Sequence, residues 1–326
     1  MRAAVQRAAV FAGPTTVRVA ETQVPAPGAT QVRVRLEGCG ICASNLPVWE
    51  GRPWFQYPLP AGAPGHEGWG AVDAVGDAVD DLKVGDRIAF ISERAYADYD
   101  IAERSACVRL PDNLAGLPFP GEPLSCAMNI FERSDIHRGD AVAIVGTGFL
   151  GLLLTQLAAR AGADVIALSR REYALHQARK LGASATHSTE DFYAARDYAL
   201  KLTAGKGFNR VIEVAGEQTT LDLASELAGE YGRLVIAGYH QDGPRQVNMQ
   251  QWNWRALDVI NAHERDPKRY VAGIEKAVRA VGDGRLEPFS LFTHRLELDD
   301  LSGAFELLRK RPDGFVKALL TFESTP

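Results

Sequence analysis

Short runs in which apolar and polar residues alternate dominate the first third of the chain. Residues 31–36, 70–75 and 87–91 read as strands on this pattern. Turn-forming clusters separate them: Pro25, Ala26, Pro27 and Gly28; Gly51, Arg52 and Pro53; Val84, Gly85 and Asp86. No long helical period runs through the chain up to residue 115, which predicts a compact, barrel-like β domain. Residues 111–122, rich in Pro and Gly, read as a connector, and residues 124–133 as a helix.

From residue 141 the pattern changes. Apolar runs at 141–145, 165–168, 183–187, 210–215, 232–237 and 257–262 alternate with stretches of helical period. Six strands alternating with helices predict a doubly wound parallel sheet. A helix is expected at 270–281, closed by Gly282, Asp283 and Gly284. The tail then resumes β character, with strands at 292–296 and 316–322 around a helix at 298–310. A tail that turns back to β after the sheet is complete is expected to rejoin the first domain. The predicted organisation is one domain from 1–120 with 285–326, and a second from 121–284.

The strand at 141–145 ends in Gly146, Thr147, Gly148, Phe149, Leu150 and Gly151, and a helical pattern follows at once. In such a turn Gly146 permits the tight reversal and Gly148 lets backbone approach a pyrophosphate. Gly151 lets the helix lie close to the strand, and the helix start turns its N–H groups to the phosphates. Strand, turn and helix in register therefore predict dinucleotide binding rather than a glycine loop without a ligand. Ala215 and Gly238, towards the ends of the fourth and fifth strands, are further candidate cofactor contacts. An acid on the adenosine ribose is expected about 20 residues past the loop. Its place is taken by Ser169, followed by Arg170 and Arg171. A carboxylate pairs with a 2′-hydroxyl and repels a 2′-phosphate, whereas a serine with guanidinium groups does the reverse. NADP(H) is expected in preference to NAD(H).

Composition narrows the partners. The 326-residue chain has a net charge of −5 and no basic stripe interleaved with aromatic residues, so no nucleic acid is expected. The densest basic cluster, Arg309, Lys310 and Arg311, falls at a helix end, where cations are favourable. No run approaches a membrane span, and the first residues lack a signal peptide's uninterrupted apolar segment. Four cysteines in a chain this long are no disulfide framework, which points to the reducing cytoplasm.

A second set of chemical residues lies outside the glycine stretch. Cys39 and Cys42 sit on a loop after a strand, His66 and Glu67 lead into the next, and Glu122 and Cys126 follow at the domain junction. Cys, His and Glu or Cys from separated loops make a catalytic zinc site, with three protein ligands and one open position. Residues 40–45 (GICASN), 65–76 (GHEGWGAVDAVG) and 84–88 (VGDRI) occur in order, followed by Glu122, Pro123 and Leu124. With the glycine turn, these motifs resemble the medium-chain dehydrogenase/reductase superfamily over nearly the whole chain. The E-P-L and G-H-E motifs place the resemblance in its zinc-dependent alcohol and polyol dehydrogenase branch.

The resemblance implies a GroES-like β-rich catalytic domain joined to a Rossmann doubly wound, parallel, six-stranded sheet. It implies Cys42 and His66 as zinc ligands, with Glu67 a further ligand or an exchangeable neighbour. The last ligand stays open. Glu122 matches the glutamate of the polyol branch, and Cys126 falls where the alcohol branch has its cysteine; thiolate and imidazole are zinc's commonest ligands, which leans towards Cys126. Ser44 fits the family's relay for the substrate hydroxyl, and members are commonly homodimers or homotetramers.

Three departures from the family stand out. Asn45 replaces the usual Asp, the carboxylate that orients the histidine ligand. An amide oxygen can still accept that hydrogen bond, but without the charge zinc affinity is expected to drop by roughly an order of magnitude. Pro47 replaces a histidine that ends the proton relay in many members, so the proton must leave by another route. Residues 91–98 run on without the cysteines of a structural zinc lobe, so at most one zinc is expected.

Of the remaining residues, Cys39 is expected to pack, because no thioredoxin-like helix start frames its C-x-x-C with Cys42. Cys107 reads as core. Trp49, Trp54, Phe55 and Tyr57 either line a substrate pocket or pack on their own barrel. His263, at the end of the sixth strand, reads as a cap or packing residue, and His240 is open. The expectation is a zinc-dependent oxidoreductase that moves a hydride between NADP(H) and a secondary alcohol or polyol, or the matching carbonyl compound. It competes with a zinc-free quinone or enoyl reductase of the same superfamily, and with a non-catalytic NADPH-binding protein.

Overall fold

The computed structural model describes residues 4–322. Its strands, in chain order, are β1 (Val5–Gly13), β2 (Thr16–Gln23), β3 (Gln31–Gly40), β4 (Gly68–Val75), β5 (Arg87–Phe90), β6 (Tyr99–Glu103) and β7 (Cys107–Arg109). They continue with β8 (Ala141–Val145), β9 (Asp164–Ser169), β10 (Ala185–Ser188), β11 (Phe208–Glu213), β12 (Ala228–Ile236), β13 (Asp258–Asn261), β14 (Phe292–Leu296) and β15 (Lys317–Thr321). The chain forms two compact units. The first takes the chain up to Ser125, Asp266–Gly282 and the chain from Pro288 onward; the second takes Cys126–Arg265 and Asp283–Glu287.

In the first unit one sheet has the strand order β14-β15-β3-β4-β5-β7, with β6 also pairing β3. Period-2 alternation sets the face each residue takes: Val32, Val34 and Leu36 of β3 are buried, while Arg33 turns out and pairs with Asp73 of β4. The tail strands join this sheet, β15 running antiparallel to β3 with Leu319 opposite Gly40 and Leu320 opposite Cys39. That pairing brings the start of β15 beside the loop that follows β3. Helix Leu301–Lys310 buries Leu301, Ala304, Phe305 and Leu308, the spacing of one helical face. Phe305 meets Phe11 edge-on at 5.7 Å and stacks on Trp49 at 5.8 Å. Trp49 is therefore core, while Trp54 is exposed. Helix Pro267–Gly282 clusters with this unit, and Ser125 Oγ donates to its Tyr270 carbonyl at 2.7 Å.

The second unit holds a six-stranded parallel sheet in the order β10-β9-β8-β11-β12-β13. Val142, Ala143, Ile144 and Val145 of β8 have no solvent exposure, as a central strand covered on both faces requires. From β8 the chain winds outward to β9 and β10 on one side and to β11, β12 and β13 on the other. The loop after β8 therefore lies at the topological switch point, where open α/β sheets bind ligands. No helix among the described residues is long and apolar enough to cross a membrane.

Candidate active site

In the first unit the site is assembled from the loop after β3 and the loop before β4. Cys42 stands at the start of a 3-10 turn, Ala43–Asn45, which passes into helix Leu46–Glu50 with a proline in its first turn. Pro47 suits that place because an N–H there has no intrahelical partner. Gly40 makes a close approach possible: a Cβ on it would stand 1.7 Å from Glu67 Oε2. Among the described residues, Cys42, His66 and Glu67 form a group whose ligand atoms all lie within 4.8 Å of one another. Thiolate, imidazole and carboxylate are the donors zinc takes, so the residues present fit that ion.

Electrostatics bind the group together. Burial alone would push His66 down, but the neighbouring Cys42, with Glu122 and Glu67, outweighs it and holds the imidazole up at about 10. A proton on the ring is what a bound cation would displace. Glu67 is buried, and its Oε1 accepts from Lys317 Nζ at 2.7 Å; the same ammonium donates to the Ile41 carbonyl at 3.0 Å. Burial would strip the proton from Lys317, yet the charges of Glu67 and Cys42 raise its pKa instead. Lys317 escaped the sequence reading. A charged residue inside the apolar tail strand was the available signal, since buried lysines are almost always paired.

Ser44 Oγ lies 3.2 Å from Cys42 Sγ and 3.3 Å from Asn45 Oδ1, so its hydroxyl sits within the group. Asn45 does not play the part expected of it. Its amide nitrogen donates to the Pro64 carbonyl at 2.8 Å, and His66 Nδ1 contacts that same carbonyl at 3.0 Å. The histidine is oriented by the Pro64 carbonyl, to which Asn45 also donates; Asn45 makes no acceptor contact with the ring. Glu122 and Cys126 stand about one turn apart on helix Gly121–Ser134. Glu122 belongs to the first unit and its charge acts on His66; Cys126 belongs to the second. Cys39 is fully buried and burial pushes its thiol well up, which suits packing and not redox chemistry. Cys107 is likewise buried, pushed up to about 12.

The second unit holds the glycine loop. Gly146 has φ +108°, and a Cβ there would lie 3.1 Å from Ala215 N. A Cβ on Gly151 would stand 2.0 Å from Gly146 O, whereas Gly148, at the start of helix Phe149–Arg160, has nothing within 4 Å of its missing Cβ. The loop thus has close packing on one side and open space at Gly148, with Phe149 and Leu150 beginning the helix and Thr147 buried beneath. At the end of β9, Ser169 Oγ accepts from Arg171 N at 3.4 Å, and Arg171 Nη2 reaches the Thr147 carbonyl at 3.5 Å. Arg170 pairs instead with Glu217 at 3.2 Å, an exposed contact worth about 0–1 kcal/mol.

Ala215 and Gly238 are both held by Glu213, a residue the sequence reading passed over. Glu213 ends β11 with no solvent exposure. Its Oε1 accepts from Ala215 N, Gly216 N and Thr220 Oγ1, each at 2.8 Å, and its backbone carbonyl accepts from Gly238 N at 2.9 Å. His240 Nε2 meets Glu213 Oε2 at 3.0 Å, while its Nδ1 accepts from Arg245 Nε at 2.9 Å. His240 is thus committed to this array. His263 stacks on Tyr239 at 5.8 Å. An acid in a buried parallel strand needs such partners, and that was the signal it offered.

Comparison with known proteins agrees with both halves. Residues 28–122 match the alcohol dehydrogenase GroES-like domain, and residues 150–278 match the zinc-binding dehydrogenase family. Galactitol 1-phosphate 5-dehydrogenase of Escherichia coli (strain K12) is 30% identical over 262 residues, covering 69% of this chain and 73% of that protein. Sorbitol dehydrogenase of Halalkalibacterium halodurans is 25% identical, covering 93% of this chain and 95% of the relative. A Sinorhizobium meliloti 1021 protein assigned to the zinc-binding dehydrogenases and solved bound to NADP superposes with a TM-score of 0.85. It is 25% identical, and the match covers 98% of this chain and all of that one. The chain belongs to the medium-chain dehydrogenase/reductase superfamily, in its zinc-dependent branch, with the GroES-like and Rossmann folds of an NAD(P)-dependent alcohol dehydrogenase.

Proposed function

We propose that this enzyme interconverts a secondary alcohol or polyol and the matching carbonyl compound, using NADP(H) and one zinc ion per chain. The observation that carries the proposal is the meeting of Cys42, His66 and Glu67 within 4.8 Å, with Cys42 and His66 partly exposed and Glu67 buried behind them. The proposed ligands are Cys42 and His66, completed by Glu122 or Cys126, with Glu67, engaged by Lys317 at 2.7 Å, as an exchangeable neighbour. Zinc bound there supplies a Lewis acid for the substrate oxygen, and the nicotinamide supplies or accepts the hydride. Ser44 relays the hydroxyl proton, accepting it as it hands its own on towards water; in the structure that hydroxyl has Cys42 Sγ and Asn45 Oδ1 as hydrogen-bond acceptors. Pro47 has no titratable group, so the proton leaves Ser44 by a path that bypasses it.

NADP(H) is the proposed cofactor because Ser169 and Arg171 take the place of a ribose-binding acid, and Arg170 sits beside them in an exposed pair with Glu217. Gly146, Thr147, Gly148, Phe149, Leu150 and Gly151 would cradle the pyrophosphate, with Ala215 and Gly238 lining the next strand ends. The sorbitol and galactitol 1-phosphate dehydrogenases among the relatives support a polyol or its phosphate as substrate. β13 ends the parallel sheet, and that edge supports pairing of two copies through it. The buried thiols of Cys39 and Cys107 support a cytoplasmic setting.

The test is a panel of polyols, polyol phosphates and simple alcohols assayed with NADP(H) and NAD(H), with zinc measured on the same sample. About one zinc per chain is expected, and Cys42→Ala should lose zinc and turnover while retaining NADPH binding. Undiminished turnover in zinc-free protein would overturn the metal reading, and cofactor binding without turnover of any substrate would overturn the enzymatic one.

A further inference from the structure

We propose that Asn45 is a positioning residue that orients His66 through the carbonyl of Pro64, so that the amide is required here and is not a weakened aspartate. The inference rests on the zinc reading above and concerns how this chain holds its histidine.

A carbonyl oxygen can only accept. The 3.0 Å contact from His66 Nδ1 to Pro64 O therefore places a proton on Nδ1 and leaves Nε2 as the nitrogen available to a metal. Asn45 Nδ2 donates to the same oxygen at 2.8 Å, so both lone pairs of that carbonyl are used and its direction is set from two sides. The orientation of the amide follows from the same oxygen: reversal would bring Oδ1 against Pro64 O, acceptor against acceptor. Asn45 is 2% exposed, so no water stands ready to replace the bond. The Asn45 side chain thus ties the Cys42 loop to the His66 loop through Pro64, nineteen residues further along the chain.

A carboxylate at this position would face the Pro64 oxygen, acceptor against acceptor, with no proton between them. Here the histidine has a neutral backbone partner, and the amide of Asn45 holds that partner still. Groups in this outer position usually change metal affinity by about 10–100-fold when altered.

Asn45→Ala and Asn45→Asp test the link, each compared with wild type in three measurements. Zinc affinity by chelator competition should fall about tenfold or more in both. In zinc-free protein labelled with 15N-histidine, the His66 Nδ1–H should exchange with solvent faster in both variants than in wild type. NADPH binding and a cooperative melt should persist, and Asn45→Ser replaces any variant that fails to fold. Zinc binding by Asn45→Asp as tight as wild type, or unchanged Nδ1–H exchange in Asn45→Ala, would overturn the proposal. Failure of the wild type to bind zinc would instead overturn the zinc reading, while the exchange measurement would still judge the Asn45 link.

Discussion

The ammonium of Lys317 lies 2.7 Å from Oε1 and 2.6 Å from Oε2 of Glu67, with the two side chains only 7% and 1% exposed. The pair joins the first residue of the tail strand β15 to the loop that carries His66. Removing one partner of a buried pair leaves the other charge stranded, which costs about 3–5 kcal/mol. Lys317→Met is expected to destabilise the protein by that amount in urea unfolding. Glu67→Gln combined with Lys317→Met should recover part of it, with a coupling on the order of 1–3 kcal/mol. Additive single effects would show that the two charges do not support each other.

Gly40 tests how tightly Glu67 is seated. A Cβ at 1.7 Å from Oε2 cannot be accommodated unless the carboxylate moves off its place. Gly40→Ala is expected to cost roughly 1–3 kcal/mol and to weaken zinc binding. In a Glu67→Ala background the same substitution should cost markedly less, because its obstacle is gone. Equal costs in both backgrounds, read from unfolding midpoints, would contradict the assignment.

The proposed preference for NADP(H) is tested at the end of β9. Ser169→Asp puts a carboxylate at the position proposed for the 2′-phosphate, and should shift the ratio of kcat/KM for NADPH over NADH by at least about tenfold towards NADH. Glu217→Gln releases Arg170 from its pair and should move the ratio the other way, more weakly. A ratio that ignores both substitutions would rule out this end of the strand as the selector.

Asp100 gives the protein a pH signature away from the site. Burial pushes its carboxyl up to about 6, although the N–H groups of Arg94, Ile101 and Glu93 favour the charged form. The folded value exceeds the unfolded one of about 4, so the native state binds the extra proton between those values. Stability from this group is therefore greatest below pH 4 and declines as pH rises through 6, by on the order of 3 kcal/mol. Asp100→Asn should flatten that part of the urea stability profile. Identical profiles for variant and wild type between pH 4 and 7 would refute the assignment.

Much of the architecture was legible along the chain because its causes are local. The period-2 runs around Val32, Val34 and Leu36, and the apolar run from Val142 to Val145, report which faces are buried wherever the strands end up. The glycine turn at Gly146, Gly148 and Gly151 was readable because a tight reversal and a close strand–helix contact admit few other residues. Cys42, His66 and Glu67 were readable for a similar reason: each sits within a motif only a few residues long.

What the sequence could not determine was which distant groups complete these local pieces. Lys317 meets Glu67 only because β15 pairs antiparallel with β3 in one register, and shifting that register by one residue would turn the lysine to the opposite face. Asn45 looked like a weakened acceptor for His66 until the fold placed the Pro64 carbonyl between them and reversed its role to donor. Glu213 gains its partners only where the loops after β11 and β12 close on it. Periodicity and motif spacing are properties of one segment at a time. Hydrogen-bond direction and charge pairing depend on the separation of atoms from different segments, and only the folded chain sets those distances.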